Sequence, residues 1–206
     1  VTPTFELEQA SPQPVAGVDE VGRGPWAGPV VAAAVILQAE RIPAGLNDSK
    51  KLTRLRREAL LPLLEDQALI GIGLASVEEI DQHNILAASM LAMTRAVAAL
   101  PVTPALALVD GNRAPDLACP VTTIIKGDAR CLSIAAASIV AKVTRDRLME
   151  TLAGEHPGYG WERNAGYGTA EHRDGLDRLG ITAHHRLSFR PIAERAALRD
   201  ALSGRV

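Results

Sequence analysis

The chain has 206 residues, 47% hydrophobic and 22% charged, enough for one domain with a sizeable core and far from the composition of a disordered chain. A net charge of -2 argues against a nonspecific basic nucleic-acid coat, although basic residues bunch in "DSKKLTRLRRE" and "KVTRDR". Cys119 and Cys131 provide neither a disulfide framework nor zinc-ligand spacing and predict a reducing, cytoplasmic setting; no signal peptide is visible, and no apolar run is long enough to cross a bilayer.

Residues 1–14, with three prolines, read as a loose leader. "VAGVDE" predicts a strand, "VGRGPWAG" a turn and "PVVAAAVILQ" the returning strand. "LNDSKKLTRLRREALLPLLEDQ" opens on cap-type residues and continues as a helix, and "ALIGIGLAS" predicts a third strand. "SVEEIDQHNILAASMLAMTRAVAAL" predicts one long amphipathic helix, with Ser76 as N-cap and Glu79 completing a capping box. "PALALVDG" and "CPVTTIIKGD" predict the fourth and fifth strands, and "LSIAAASIVAKVTRDRLMETLAGEH" a buried helix. Loops and short helices follow from about Pro157. This alternation predicts an α/β fold with a mixed sheet and helices on both faces.

Asp19, Glu20, Asp110 and Asp128 each end or interrupt an apolar strand. Taken singly, such an acid is a turn former or a helix cap. Four of them at one sheet edge would repel one another unless a cation lay between them. Oxygen-only ligands favour Mg²⁺ or Mn²⁺ over zinc, and paired ions of this kind hydrolyse phosphodiesters: one activates the attacking water, the other steadies the departing oxygen. Neighbouring residues on a regular strand point to opposite faces, so Asp19 and Glu20 share a site only if the strand ends, bulges or twists there.

Gly22, Arg23 and Gly24 form a short backbone platform that reads either as a plain turn or as a loop a ligand can approach closely. Ser49 and Lys50 read equally as a phosphate contact at a helix N-terminus or as a solvated cap. Tyr167, between two glycines, predicts an exposed ring able to stack on a base or sugar. Trp26 and Trp161 read as packing residues. His156, His172, His184 and His185 look scattered and lack metal-ligand spacing, with His172 expected on a surface helix. Cys131, with no histidine partner, reads as structural.

The segments "GVDEVGRGPWAGPVVAAAVIL", "GLNDSKKL", "LVDGN", "KGDARCLSIAAASIVAKVTRDRLM", "HPGYGWERNAGYGTAEH" and "HHRLSF" follow in the order seen in bacterial ribonuclease HII, and the chain resembles that family from about Val15 to about Pro191. The resemblance implies a ribonuclease H-like mixed five-stranded sheet flanked by helices. It implies a catalytic domain over 15–155 and a small C-terminal helical extension over 156–206 that contributes to substrate recognition. It further implies endonucleolytic cleavage of RNA–DNA hybrids and incision 5′ to single ribonucleotides in duplex DNA, by two metal ions, Mn²⁺ or Mg²⁺, leaving 5′-phosphate and 3′-hydroxyl ends. Asp19, Glu20, Asp110 and Asp128 then correspond to the metal-binding acids, and Gly22, Arg23 and Gly24 to the loop that senses the 2′-hydroxyl. Tyr167 corresponds to the ring that stacks at the RNA–DNA junction, and Ser49 and Lys50 to backbone-phosphate contacts. Cys131 stands where many relatives have Ser, and Leu187 interrupts a more usual "HRRSF". The related ribonuclease HIII carries an extra N-terminal substrate-binding domain, which is not expected ahead of Val15 with only fourteen loose residues there. A cytoplasmic monomer with no membrane association and no obligate protein partner is expected. A catalytically silent hybrid-binding module and a phosphatase of small esters are the rival readings.

Overall fold

The computed structural model describes residues 2–203; Val1 of the leader and residues 204–206 of the C-terminal extension lie outside the described residues. The chain divides into two compact units. The first comprises residues 1–21, 31–74 and 89–144, and the second residues 22–30, 75–88 and 145–206. The loop after the first strand and residues 75–88 group with the C-terminal segment in the second unit.

The sheet contains β1 (Val15–Val21), β2 (Val30–Leu37), β3 (Ala68–Ala75), β4 (Leu106–Asp110) and β5 (Val121–Ile124), in the order β3-β2-β1-β4-β5. β1 runs antiparallel to β2 and parallel to β4, and β4 runs parallel to β5. All five strands lie where the apolar runs predicted them. β2 is buried along its whole length, as its unbroken Val-Ala-Ile-Leu run requires of a strand covered on both faces.

Helix α1 (Glu6–Gln9) lies in the leader. The leader is not loose: the buried Glu8 accepts hydrogen bonds from Ser133 N and Oγ, both at 2.7 Å, and Thr4 bridges to Cys131. Its carboxylate thereby caps the start of the helix over Leu132–Glu155. The "NDSKK" stretch forms a 3₁₀ turn, Ser49–Lys51, and Thr53 rather than an earlier residue caps α2 (Arg54–Gln67) through Arg56 N.

The long helix predicted after Ser76 is broken. The Ser76–Glu79 capping box is present, but α3 (Val77–His83) stops at Asn84, whose φ of 71° no regular helix continues through, and α4 (Ile85–Ala98) begins afresh. The Asn84 side-chain oxygen accepts from the N–H groups of Leu86 and Ala87, so one polar residue both ends a helix and caps the next.

In the first unit, α2 and the first half of α5 (Leu132–Glu155) pack against Ala33, Val35 and Leu37 of β2. The approach of α5 to the sheet requires Gly17 on β1, where a Cβ would overlap the Ser133 backbone. Arg95 on α4 ties to β3 through a 2.7 Å bond from Nη1 to the Leu74 carbonyl. The second unit adds α6 (Trp161–Asn164), α7 (Ala170–Leu179) and α8 (Arg190–Ser203) around Ala27, Met149, Tyr159, Trp161, Leu176 and Ile192. Among the described residues, no helix is long and apolar enough to cross a membrane.

Candidate active site

In the first unit the acids gather at the C-terminal ends of three adjacent strands. Val18 on β1 pairs with Val109 on β4, so Asp19 and Asp110 follow at the same level. Asp110 pairs with Ile124 at the end of β5, and the chain then turns through Lys126, at φ 57°, into a 3₁₀ turn, Gly127–Ala129, that carries Asp128. Asp110 Oδ1 accepts from Gly127 N at 2.6 Å, which locks the turn to the end of β4. Asp19 and Asp128 are buried.

β1 does not bulge at the paired acids. Its ladder with β2 continues through Asp19, Glu20 and Val21, while its pairing with β4 runs from Val15 to Val18. The two acids thus lie on a regular stretch that has run past one of its neighbours. Asp19 Oδ1 also accepts from Glu20 N at 2.7 Å.

The electrostatics are those of a place that lacks positive charge. Burial pushes the Asp19 carboxyl well above its ordinary range, and the charges of Glu20, Asp110 and Asp128 push it further. Asp128 is raised for the same reasons: burial first, then Asp48 and Asp110, with Lys50 working against them. Lys50 Nζ lies 3.9 Å from Asp128 Oδ2, with its side chain 86% exposed. Burial would lower the Lys50 ammonium, but the charges of Asp128, Asp19, Asp48 and Asp110 outweigh it and raise the group. Ser49 by contrast is buried: its N–H donates to Ser138 Oγ and its carbonyl accepts from Arg57. Of this pair only Lys50 presents an exposed charge.

The donor set fits hard divalent cations. It is made of carboxylate oxygens without sulfur or imidazole, and burial and like-charge repulsion both penalise Asp19 when no cation is close. Among the described residues, the group of three side chains whose ligand atoms all lie within 4.8 Å of one another is Glu155, His156 and His184, and no three of the acids meet that spacing.

In the second unit, Gly22, at φ 97°, begins a loop held by two buried arginines. Arg186 donates from Nη2 to the Gly22 carbonyl at 2.6 Å, from Nη1 to the Arg23 carbonyl at 3.0 Å, and from Nε and Nη2 to the Gly28 carbonyl at 2.9 and 2.8 Å. Arg145 donates to the carbonyls of Pro29, Ala165 and Ala27 at 2.9, 2.9 and 3.1 Å. A Cβ on Gly22 would collide with the Arg145 guanidinium. Burial lowers Arg186 to about 9, with Arg145 adding to it, and burial lowers Arg145 to about 10; both remain charged at neutral pH.

Tyr167 follows α6 and is 47% exposed, and a Cβ built on Gly24 would lie 3.3 Å from its Cε1, so the ring borders the glycine loop. Its main chain is pinned on both sides: Tyr167 N donates to Asn164 O at 2.9 Å, and Tyr167 O accepts from Thr169 N at 2.8 Å and faces His172 Nδ1 at 3.0 Å. His172 is therefore fully buried, not on a surface as the sequence suggested. Trp161 packs in the core as expected.

Residue types alone did not reveal Arg145, Arg186 or His172. "KVTRDR" read only as a bunch of basic residues, and only burial against backbone carbonyls distinguishes a structural arginine from a phosphate-binding one. The Leu187 departure leaves that framework intact, because Leu187 and Ser188 use their N–H groups, not a side-chain charge, to bind the Asp81 carboxylate at 2.9 and 2.8 Å. Cys131 is buried and its thiol is pushed up to about 12 by burial and then by Glu8, so it is an inert core residue.

Comparison with known proteins shows the family and the fold. The family model for Ribonuclease HII matches residues 16–192. Ribonuclease HII of Rhizorhabdus wittichii is 60% identical over 192 residues, covering 93% of this chain and 95% of its own. The crystal structure of ribonuclease H2 from Pyrococcus horikoshii superposes with a TM-score of 0.76 at 28% identity, over 90% of this chain and 98% of that one. Bst-RNase HIII, solved in complex with Mn²⁺, shares the fold alone, with a TM-score of 0.73 at 19% identity over 91% of this chain and 70% of that one. On this match and this architecture, the chain belongs to the ribonuclease HII family and is a ribonuclease H, an endonuclease of RNA–DNA hybrids.

Proposed function

We propose that this enzyme incises duplex DNA 5′ to single ribonucleotides as well as cutting RNA tracts in hybrids, leaving 5′-phosphate and 3′-hydroxyl ends. The observation that carries the reading is the convergence of Asp19, Asp110 and Asp128 at the ends of three neighbouring strands, with Asp19 raised by burial and then by its neighbours' charge. Asp19, Glu20, Asp110 and Asp128 would hold two divalent ions, Mg²⁺ or Mn²⁺. When bound, such ions lower the pKa of water and stabilise charge on a departing oxygen.

The chain's own groups do the rest. Lys50, exposed beside Asp128, offers an ammonium to a backbone phosphate and draws the polyanion toward the acids. The Gly22–Gly24 main chain meets the 2′-hydroxyl, the group that distinguishes RNA from DNA. Arg186 has already positioned that loop, so little reorganisation is needed on binding. All-DNA is rejected because it offers the loop no hydroxyl, so the contact that seats the ribose is not made. Tyr167 stacks on the sugar at the junction, and residues 156–206 serve recognition through it. Two free, buried cysteines suit a reducing cytoplasm, and the enzyme is proposed to act as a monomer without an obligate protein partner.

The test is a labelled duplex carrying one ribonucleotide, incubated with Mg²⁺, with Mn²⁺ or with chelator, and the product ends mapped. A single cut 5′ to the ribonucleotide that requires the ion is expected. Cutting that persists in chelator, or that falls elsewhere, overturns the reading.

A further inference from the structure

The end of α5 and the segment before Arg186 bring together a second set of donors. Glu155 closes α5, His156 follows it, and His184 lies opposite, with one ligand atom from each within 4.8 Å of the others. This set offers two imidazole nitrogens and one carboxylate oxygen, a softer combination than the four acids. The backbones that carry it are fixed. His156 N donates to Leu152 O at 2.8 Å, extending the helical ladder by one residue. His184 N donates to Thr182 Oγ1 at 3.2 Å, and its carbonyl accepts from Gly28 N at 2.9 Å.

The rings are arranged as well. His156 and His184 meet edge to face with centroids 4.9 Å apart, and each also meets the buried Trp161 edge-on, at 6.1 and 6.3 Å. Both imidazoles are half-buried and Glu155 is exposed, so an ion can enter from solvent while the rings stay oriented. The Glu78 carboxylate lies within electrostatic reach of His184 and adds negative charge nearby.

We propose that Glu155, His156 and His184 form a binding site for a late first-row divalent cation, zinc foremost, with a fourth position left to water. Two imidazoles and a carboxylate are a standard ligand set for zinc in tetrahedral geometry, at about 2.0–2.2 Å from each donor. Mg²⁺ prefers octahedral oxygen and does not compete here. The ion would tie the end of α5 to the segment running into Arg186, and so stabilise the loop whose Gly22 and Arg23 carbonyls Arg186 holds. The site uses none of the four acids and does not depend on the ribonucleotide-incision reading.

The experiment titrates Zn²⁺ and, for its spectrum, Co²⁺ into the full chain in excess Mg²⁺, which keeps the four acids occupied. One equivalent of Zn²⁺ is expected to shift the imidazole NMR signals of His156 and His184 together and to raise the unfolding temperature. Co²⁺ is expected to give the absorption of a low-coordinate nitrogen–oxygen site. Glu155→Gln, at an exposed position, should weaken binding by at least the roughly 10–100-fold that loss of an outer-shell partner costs. His184→Ala should abolish binding, while hybrid cleavage in Mg²⁺ continues. Equal Zn²⁺ affinity in wild type and Glu155→Gln, or imidazole signals that move only at large excess, overturns the proposal without bearing on the nuclease.

Discussion

The Nε2 atoms of His172 and His185 lie 3.0 Å apart inside the second unit, so one must donate and the other accept. Thr182 N donates to His185 Nδ1 at 3.0 Å, which leaves the proton of His185 on Nε2. His172 Nε2 then accepts, as it does from Trp161 Nε1 at 3.1 Å, and its own proton sits on Nδ1, donated to the Tyr167 carbonyl. A chain of neutral rings thereby fixes the main chain that carries the exposed tyrosine.

Protonating either ring would set two donors against each other. Burial, then the charges of His172, His184 and His156, hold His185 down to about 3, and burial followed by Arg195 lowers His172. The unfolded chain takes up these protons near 6.5 and the folded chain does not. His185 therefore contributes a loss of stability as pH falls from 6.5 toward about 3, at roughly 1.4 kcal/mol per pH unit, and His172 contributes a loss in the same direction below 6.5. Nitrogen-15 NMR should find His185 neutral and Nε2-protonated from pH 7 to about pH 4; a folded-state titration close to 6.5 would refute the relay.

Arg186→Lys keeps the charge but cannot span the Gly22, Arg23 and Gly28 carbonyls that the guanidinium bonds at once. We expect a loss of about 2–3 kcal/mol, near the cost of one charge-assisted hydrogen bond or more, and a lower melting temperature. KM for a lone-ribonucleotide duplex should rise more than KM for an RNA tract. An unchanged melting curve would show that the carbonyl clamp adds nothing to folding.

Asp110→Asn should abolish cleavage while leaving hybrid binding intact, since it removes a ligand charge but keeps an oxygen facing Gly127 N. Normal turnover by this variant would remove Asp110 from the site.

Asp19→Asn should likewise be inactive yet more stable than wild type in metal-free buffer, because it relieves burial of a charge among Glu20, Asp110 and Asp128. Each kcal/mol relieved raises the melting temperature by about 2–4 °C for a chain of this size. The gain should fade as pH drops through the raised Asp19 value toward 3.8, where wild type neutralises the group itself. A less stable variant in calorimetry would mean that repulsion among these acids is not a folding cost.

Tyr167→Ala should slow incision at a lone ribonucleotide more than cleavage of a long RNA tract, measured as the ratio of kcat/KM on the two substrates. Loss of one base- or sugar-stacking ring is worth about 1–3 kcal/mol. Equal losses on both substrates would leave the ring without a role at the junction.

The local elements, and the chemistry they carry, were legible in the order of residues alone. Apolar runs bounded by Gly, Pro and Asp mark all five strands, and the Ser76–Glu79 pair marks a helix start, because propensity and capping are properties of contiguous residues. The four acids stood out because a carboxylate at the end of an apolar strand is costly wherever the strand goes. The strand order that sets Asp19 beside Asp110, the break at Asn84, the seating of Glu8 under α5 and the burial of Arg145, Arg186 and His172 emerged with the folded chain. Folding also drew His156 and His184 together with Glu155. Each of these depends on contacts between residues distant along the chain, where many small packing and hydrogen-bond energies select one arrangement and no short stretch of sequence holds the sum.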